Sequence, residues 1–488
     1  MEVDAKPVPV EESSVDLGGS KPELKRTLGS FQVFAISFAF ISVAVGIFGT
    51  YDEVLRTGGP LGIWLWPIVA VGQGLVALVI AQFAARIALT GSSYQWASRL
   101  ASPKIGWGFG WLTFCWLGIV AVAADNALAS QAFMPLFGIH ADEGTARLIT
   151  VAVLLVQAVL VVASVRIVAL LNSSAVVVEV AIVGVLAIAL IVVVAVTGHG
   201  SFENLTSRGV TAGVPNYFGV GGGLMLATIM GLGTLTGFDA AANLAEEAKD
   251  PYRSVPRAIV GSVVAAGLAG MVFLIALTVA ITNIKKISLT EGAVAAIMRD
   301  QLGPVVEKIL LVAVTFSFFA AGMVIMATGA RLVYAMARDL RFPFHRTFRR
   351  VNPRTHTPIP ATILIFGGGV LLMVALPGNA LLQLITAATI LPVIIYGATV
   401  VLYLAVRKRL VAKKGAFSLG RLDLPVAIVA LVWLFVALLV LVLPHQARVP
   451  ILIVLGLVLA GAVFFLLMLI FDRKSLDAEP GDVSVLEA

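Results

Sequence analysis

The chain has 488 residues, 59% of them hydrophobic and only 12% charged, with a formal net charge of +7. Water-soluble domains carry about 25% charged residues, so half that share excludes an ordinary soluble protein and points to a lipid bilayer as the surrounding solvent. The single cysteine, Cys115, excludes a disulfide framework. The basic excess lies in loops on one side of the chain's path, which excludes nucleic acid as the reason for it.

Residues 1–30 carry both charge signs and lack the short apolar core of a secretory signal, so they read as a disordered cytosolic tail. About twenty apolar residues cross the hydrocarbon core as a helix. Twelve such runs follow, at 31–55, 61–88, 105–135, 146–165, 171–197, 217–245, 256–282, 305–336, 359–376, 380–405, 424–443 and 450–471. Residues 472–488 read as a second cytosolic tail. With the N-terminus inside, the cytoplasmic segments hold 25 lysines and arginines against 8 outside. Cytoplasmic loops are the ones enriched in these residues, so both termini are expected in the cytoplasm and the chain in the plasma membrane.

Two loops carry patterns of their own. Ser288 and Glu291 stand in capping-box spacing, which predicts a short outer helix before the eighth span. The segment TGSSYQWASRLASPKIGWGFGW mixes Trp, Tyr and Arg as a membrane-interface segment does. Trp107, Trp111 and Trp116 fall on one loose helical stripe, read as packing.

The sixth run contains GLGTLTGFDAAANLAEEAKDP, residues 231–251. Gly231, Gly233 and Gly237 cluster at its middle, each costing about 1 kcal/mol of helix stability relative to alanine. Either they allow close helix packing, or the helix unwinds there to bind something, since non-helical backbone at this depth survives only beside protein or water. The first run decides for the second reading. It too carries glycines, Gly46 and Gly49, with Ser37 and Ser42 before them. Runs one and six lead two five-helix halves, 31–197 and 217–405, with helices eleven and twelve at 424–471. Paired glycine-interrupted helices at matching positions of two halves point to a transporter binding site. A half-helix N-terminus offers free N–H groups to a carboxylate, and a C-terminus offers carbonyls to an amine or cation.

Four stretches carry a family resemblance: GFDAAANLAEEAKDPYRSVPRAI, ARLVYAMARDLRFP, FISVAVGIF and TGSSYQWASRL. Together they resemble the amino acid–polyamine–organocation superfamily, in its amino acid/choline branch, which includes GABA permeases. The resemblance implies an all-α polytopic membrane protein of twelve transmembrane helices. These form two inverted five-helix repeats of the leucine-transporter type plus two C-terminal helices, with the first and sixth helices broken. It also implies secondary transport of an amino acid or related amine such as GABA by alternating access. Carried over by residue, the breaks fall at Ser42, Ala44, Val45, Gly46 and Ile47, and at Thr234, Leu235, Thr236, Gly237 and Asp239. Ala44 and Val45 replace the first glycine and the small residue of the superfamily's G-S-G-I-F run, which FISVAVGIF resembles. Their side chains narrow the pocket and make an ω-amino acid or simple amine easier to accommodate.

Ionisable residues within a span are functional candidates by default. Asp239 follows the sixth-helix break and shares a face with Glu246; it is read as a substrate-amine or gating contact, against a cap on the unwound backbone. Asp125, beside Asn126, divides between a vestibule charge and an interhelical hydrogen bond. Glu179 divides between a coupling-proton carrier and a buried structural carboxyl. Asp52 and Glu53, at the outer end of the first run, read as solvent-exposed. Sodium sites of this fold use hydroxyls on the eighth helix, where Ser317 is the candidate, flanked by Thr315 and Thr328, yet no adjacent hydroxyl pair is present. Protons are therefore favoured over Na+ as the coupling ion, with exchange without a net ion as the alternative. A nutrient sensor of the same fold is the competing class, and no enzyme constellation, cofactor motif or metal-ligand spacing is found.

Overall fold

The first apolar run folds as two helices, α1 (Ser30–Ile41) and α2 (Val43–Thr57), separated by Ser42 alone, at φ 46° and ψ 79°. The computed structural model describes residues 28–88, 91–140, 142–355, 357–376, 378–410, 416–471 and 473–477. A short 3-10 turn at Pro60 leads into α3 (Leu65–Ala84), and then α4 (Ser92–Leu100) precedes α5 (Pro103–Ala127). This helix continues through a π-helical turn, Leu128–Phe133, into α6 (Met134–Phe137). α7 (Glu143–Ala163) and α8 (Val165–Thr197) meet at Ser164, whose extended backbone ends one helix while its hydroxyl caps the next through the Ile167 N–H.

In the second half, α9 (Gly223–Thr234) unwinds and passes into a 3-10 segment, Phe238–Glu247. It is followed by α10 (Pro251–Val279), α11 (Ile284–Ser288), α12 (Ala293–Arg338), α13 (His345–Phe348), α14 (Ile359–Ala375) and α15 (Ala380–Val406). The chain ends through α16 (Asp423–Val442), α17 (Arg448–Phe471) and α18 (Arg473–Asp477). Among the described residues, eleven helical segments are long and apolar enough to cross a membrane. The ninth expected span is α14, whose 17 residues sit at the short end of the ~17–25 a crossing helix needs. Among the described residues there is no strand, only an isolated bridge between Leu28 and Ala248.

α2, α5, α9, α12 and α15 form the interior, α2 packing on α9 and α5 on both α12 and α15, while α3 and α1 hold α10. α8, α16 and α17 turn large apolar side chains outward, among them Val196, Leu452 and Ile470. Such a surface is stable only against lipid, since a soluble protein rarely exposes so large an apolar face.

Three expectations change. The outer helix before the eighth span exists, but it begins after Gly292 rather than at Ser288. Ser288 ends α11, and its hydroxyl is buried without a partner. Gly303, at φ 82° and followed by Pro304, then kinks α12 into that outer arm and the span proper, because proline removes an intrahelical donor and clashes with the preceding turn. The segment expected at the interface is instead folded inward as α4, with Trp96 and Tyr94 buried. Asp52 is buried, not exposed, and is held by Arg56. The expected tails lie mostly outside the described residues. Their described ends are anchored, by the Leu28 carbonyl accepting from the Lys249 N–H and by buried Leu476 with the Lys104–Asp477 ion pair.

Candidate functional site

The left-handed conformation of Ser42 ends α1 and starts α2, and it leaves the first N–H groups of α2 without intrahelical carbonyls. Glu179, from the middle of α8, fills that place. Its Oε1 accepts from the Ser42 hydroxyl at 3.0 Å and from the Ala44 N–H at 3.1 Å. A carboxylate is the natural partner for a helix N-terminus, where peptide dipoles sum to a partial positive charge. The Gly46 N–H closes onto the Ser42 carbonyl at 3.0 Å. Gly46 itself faces Thr234 so closely that a methyl group there would overlap the threonine side chain. The two broken helices thus touch at this pair. Thr234 is buried, and its Oγ1 has no hydrogen-bond partner. Ile47, Leu235 and Ala44 are wholly buried, and Val45 is partly so.

At the sixth-helix break, Leu235 leaves helical geometry at ψ 49° and Gly237 takes φ 79°. Glycine is required at 237 for this conformation and because the Phe40 ring occupies the space a side chain would need. The Thr236 N–H turns back to the Thr234 carbonyl at 2.9 Å, and its hydroxyl donates to the Gly233 carbonyl at 3.1 Å. The freed backbone is satisfied by neighbours. Ser37 of α1 donates to the Phe238 carbonyl at 2.7 Å and accepts from the Ala241 N–H at 3.1 Å. Tyr396 of α15 accepts from the Gly237 N–H at 2.9 Å and donates to Asp239 Oδ1 at 2.8 Å. Ser92 of α4 donates to Asp239 Oδ2 at 2.8 Å. Asp239 therefore pins α4 and α15 to the unwound segment with both oxygens. The side chain of Glu246, expected on the same face, lies outside the described residues.

Ser92 and Tyr396 escaped the sequence reading. Ser92 had a signal: it stands in TGSSYQWASRL where the superfamily stretch which that segment resembles, T-G-G-x-Y, has its second glycine, and it keeps a positive φ of 45°. A serine in that conformation is strained, and its hydroxyl bond to Asp239 is the compensation. Tyr396 had one too: Thr386, Thr389, Tyr396, Thr399 and Tyr403 recur at three-, four- and seven-residue steps along α15, and all five are buried.

Asp125 sits apart from both breaks. It is completely buried among α5, α7 and α12 and accepts from Gln157 Nε2 at 2.7 Å; the same amide nitrogen donates to the Phe319 carbonyl at 3.0 Å. Oδ2 of Asp125 and Oε1 of Gln157 have no partner. Gly322 leaves room for this pair, where any side chain would strike it. Of the two readings of Asp125, the interhelical hydrogen bond is the one observed. Ser317 is buried in α12 and gives its hydroxyl to the Ala313 carbonyl of its own helix at 3.1 Å. The tryptophan stripe packs as expected: Trp107 and Trp111 stack at 5.6 Å, and their indole N–H groups reach the Arg341 and Leu457 carbonyls. A cavity of about 100 Å³ begins one helical turn beyond Gly46, with Gly49, Asn126, Ile229 and Ile385 in its wall.

Two helices broken at mid-length and touching across their breaks, inside a bundle of apolar spans, define a polytopic membrane protein of the broken-helix transporter class. Residues 28–464 match the amino acid permease family model, and the chain belongs to that family. It is 27% identical over 452 residues to the amino-acid permease BAT1 of Arabidopsis thaliana, covering 85% of each chain. It is 25% identical over 383 residues to a putative polyamine transporter of Candida albicans, covering 72% of this chain and 68% of the relative. The low-affinity putrescine importer PlaP of Escherichia coli K12 is 25% identical over 373 residues, covering 71% and 74%. The superfamily resemblance read from the motifs thus holds, and these relatives are transporters rather than enzymes.

Proposed function

We propose that the chain is a secondary active transporter that imports an amino acid or related amine by alternating access, coupled to protons, in the plasma membrane with both termini cytoplasmic. Residues 31–197 and 217–405 are then its two inverted repeats, and α14 completes twelve spans. The observation that carries this reading is the bond between Glu179 and the first-helix break. A titratable carboxyl there can couple a proton to the geometry of the break, because losing its charge weakens its hold on the Ser42 hydroxyl and the Ala44 N–H.

The same contact favours an amine over an α-amino acid. The N–H of Ala44, available to a substrate carboxylate in a bare break, is already engaged by the protein's own carboxylate, and the Gly46 N–H is engaged by Ser42. A diamine such as putrescine, which carries no carboxylate, fits that economy of donors better than GABA or an α-amino acid, and the relative named as a putrescine importer is in keeping with it. The substrate-contacting groups of this reading are Ser42 through Ile47 and Thr234 through Gly237. Asp239 serves as a latch whose release from Ser92 and Tyr396 frees a carboxylate for the amine. The test is uptake into proteoliposomes of labelled putrescine, GABA, choline and α-amino acids, with and without an inward proton gradient. Gradient-driven accumulation of one amine supports the proposal. Counterflow without gradient-driven accumulation makes the protein an exchanger, and binding without any flux makes it a sensor.

A further inference from the structure

The cavity beyond Gly46 is walled at its outer end by carboxylates brought from three separate places in the chain: Asp52 and Glu53 at the end of α2, Asp142 and Glu143 at the start of α7, and Glu291 before α12. Among the described residues Arg56 is the only basic one in that wall, and it is shared by Asp52 at 3.2 Å and Glu53 at 3.5 Å. Glu143 is paired with Arg147 at 2.9 Å and also accepts from the Ala380 N–H. Asp142 is spent on capping α7 through Thr145. Glu291 has no ion pair among the described residues. The wall is left with a marked negative excess in a partly enclosed space, where field lines concentrate and a cation is attracted.

Carboxylates alone make a field rather than a site. The second observation is Gln131, which also lines the cavity. It is 5% exposed, its side chain lies beside the Asp52 carboxylate, and its Oε1 is buried without a partner beside the Glu291–Gly292 turn. An unmet buried acceptor costs about 1–3 kcal/mol. Gln131 is presented by the π-helical turn Leu128–Phe133, and such turns cluster at functional sites. An acceptor held unsatisfied next to an unpaired carboxylate is what an organic ammonium needs: N–H groups for the amide oxygen and positive charge for Glu291.

We propose that this vestibule is a distinct binding site for an organic ammonium group, with Gln131 Oε1 as the hydrogen-bond acceptor and Glu291 as the charge partner. It holds a cationic molecule about one helical turn outside the broken helices.

The test reads the vestibule directly and does not depend on transport. Cys115 is buried, so a cysteine introduced as Ser130→Cys, or as Ile385→Cys should the π-turn not tolerate it, supplies a reporter thiol in the cavity wall. Its modification by a quaternary-ammonium methanethiosulfonate and by the sulfonate analogue is timed in detergent-solubilised full-length protein. The cationic reagent is expected to win by tenfold or more over its ratio on free cysteine, and Glu291→Gln is expected to reduce that preference. Putrescine at millimolar concentration is expected to slow modification severalfold at constant ionic strength. Gln131→Leu is expected to abolish that protection while keeping the reagent preference. Equal protection by NaCl, or protection that survives Gln131→Leu, overturns the site. These outcomes stand whether or not the protein transports putrescine.

Discussion

Glu179 and Ala44 are 135 residues apart in the chain, yet the carboxylate of one accepts the backbone N–H of the other at 3.1 Å. The bond joins the middle of an unbroken helix to the only non-helical residue of the first span, and it turns a local backbone defect into a charge-dependent joint. Replacing Glu179 with glutamine keeps an oxygen acceptor but removes titration. Glu179→Gln is expected to lower proton-driven uptake by at least about tenfold, ~1.4 kcal/mol in the barrier, while counterflow of the same substrate changes by less than about threefold, ~0.7 kcal/mol. Equal loss of both activities would show that Glu179 is structural only.

Tyr396 stands between the two ends of the sixth-helix break. Tyr396→Phe removes the acceptor for the Gly237 N–H and the donor to Asp239 together. Loss of a satisfied buried pair costs about 1–3 kcal/mol when a partner is left unmet. The variant is expected to unfold at lower temperature in detergent. Asp239→Asn, which retains an acceptor for Ser92, is expected to cost less stability and more transport. A stability order the other way round would remove Asp239 from the role of latch.

The contact between Gly46 and Thr234 gives a cleaner double-mutant test. Gly46→Ala places a methyl group inside the Thr234 side chain, and overpacking of this kind costs about 1–3 kcal/mol. Gly46→Ala is expected to abolish uptake, and Gly46→Ala/Thr234→Ala to recover part of it. Absence of rescue would mean that the glycine is needed for backbone freedom and not for the approach of the two helices.

The parts of this architecture legible beforehand were those that leave a mark on composition or spacing. Apolar runs of about twenty residues located the spans, and paired glycine clusters marked the two broken helices, although in the first the break falls at Ser42 and Gly46 and Gly49 are helical. Glu179, singled out because a carboxylate in lipid is costly, proved to sit on the first break. Facing was less legible. Asp52 looked exposed because it lies near a helix end, yet helix packing and Arg56 bury it. Tyr396 shares a stripe at helical spacing with Thr386, Thr389 and Thr399, a mark of the inward face of α15 that went unread, whereas the orientation of Gln131 is a property of tertiary packing alone. The Ser288 cap failed for a related reason: a Gly at 292 in the left-handed region started the helix one turn later.

Asp125 and Gln157 form a pair in which removing one partner differs sharply from removing both. Gln157→Leu leaves a wholly buried carboxyl group with no donor, whereas Asp125→Leu/Gln157→Leu removes the polar demand altogether. A buried group stripped of its partner pays its full desolvation cost, while matched apolar replacement can be nearly neutral. The single variant is therefore expected to be less stable than the double in detergent melting curves. A double variant less stable than the single would show that Asp125 holds α5 to α7 and α12 through contacts other than this amide.

Asp142 offers a pH test outside the spans. The Thr145 N–H, and then the Thr145 hydroxyl, hold its carboxyl below the usual carboxylate range. A group whose folded-state pKa is depressed contributes stability that is complete above its unfolded-state pKa and is lost as pH falls through the folded-state value. Asp142→Ala is thus expected to lower the melting temperature at pH 7, and the gap between variant and wild type is expected to narrow as the pH falls below the ordinary aspartate value of ~3.9. Asp142→Asn keeps a capping oxygen and is expected to melt close to wild type at pH 7, with a smaller dependence on pH. A gap between Asp142→Ala and wild type that persists unchanged at low pH would mean that the cap acts through packing at the start of α7, and that the charge on Asp142 is free to serve the vestibule alone.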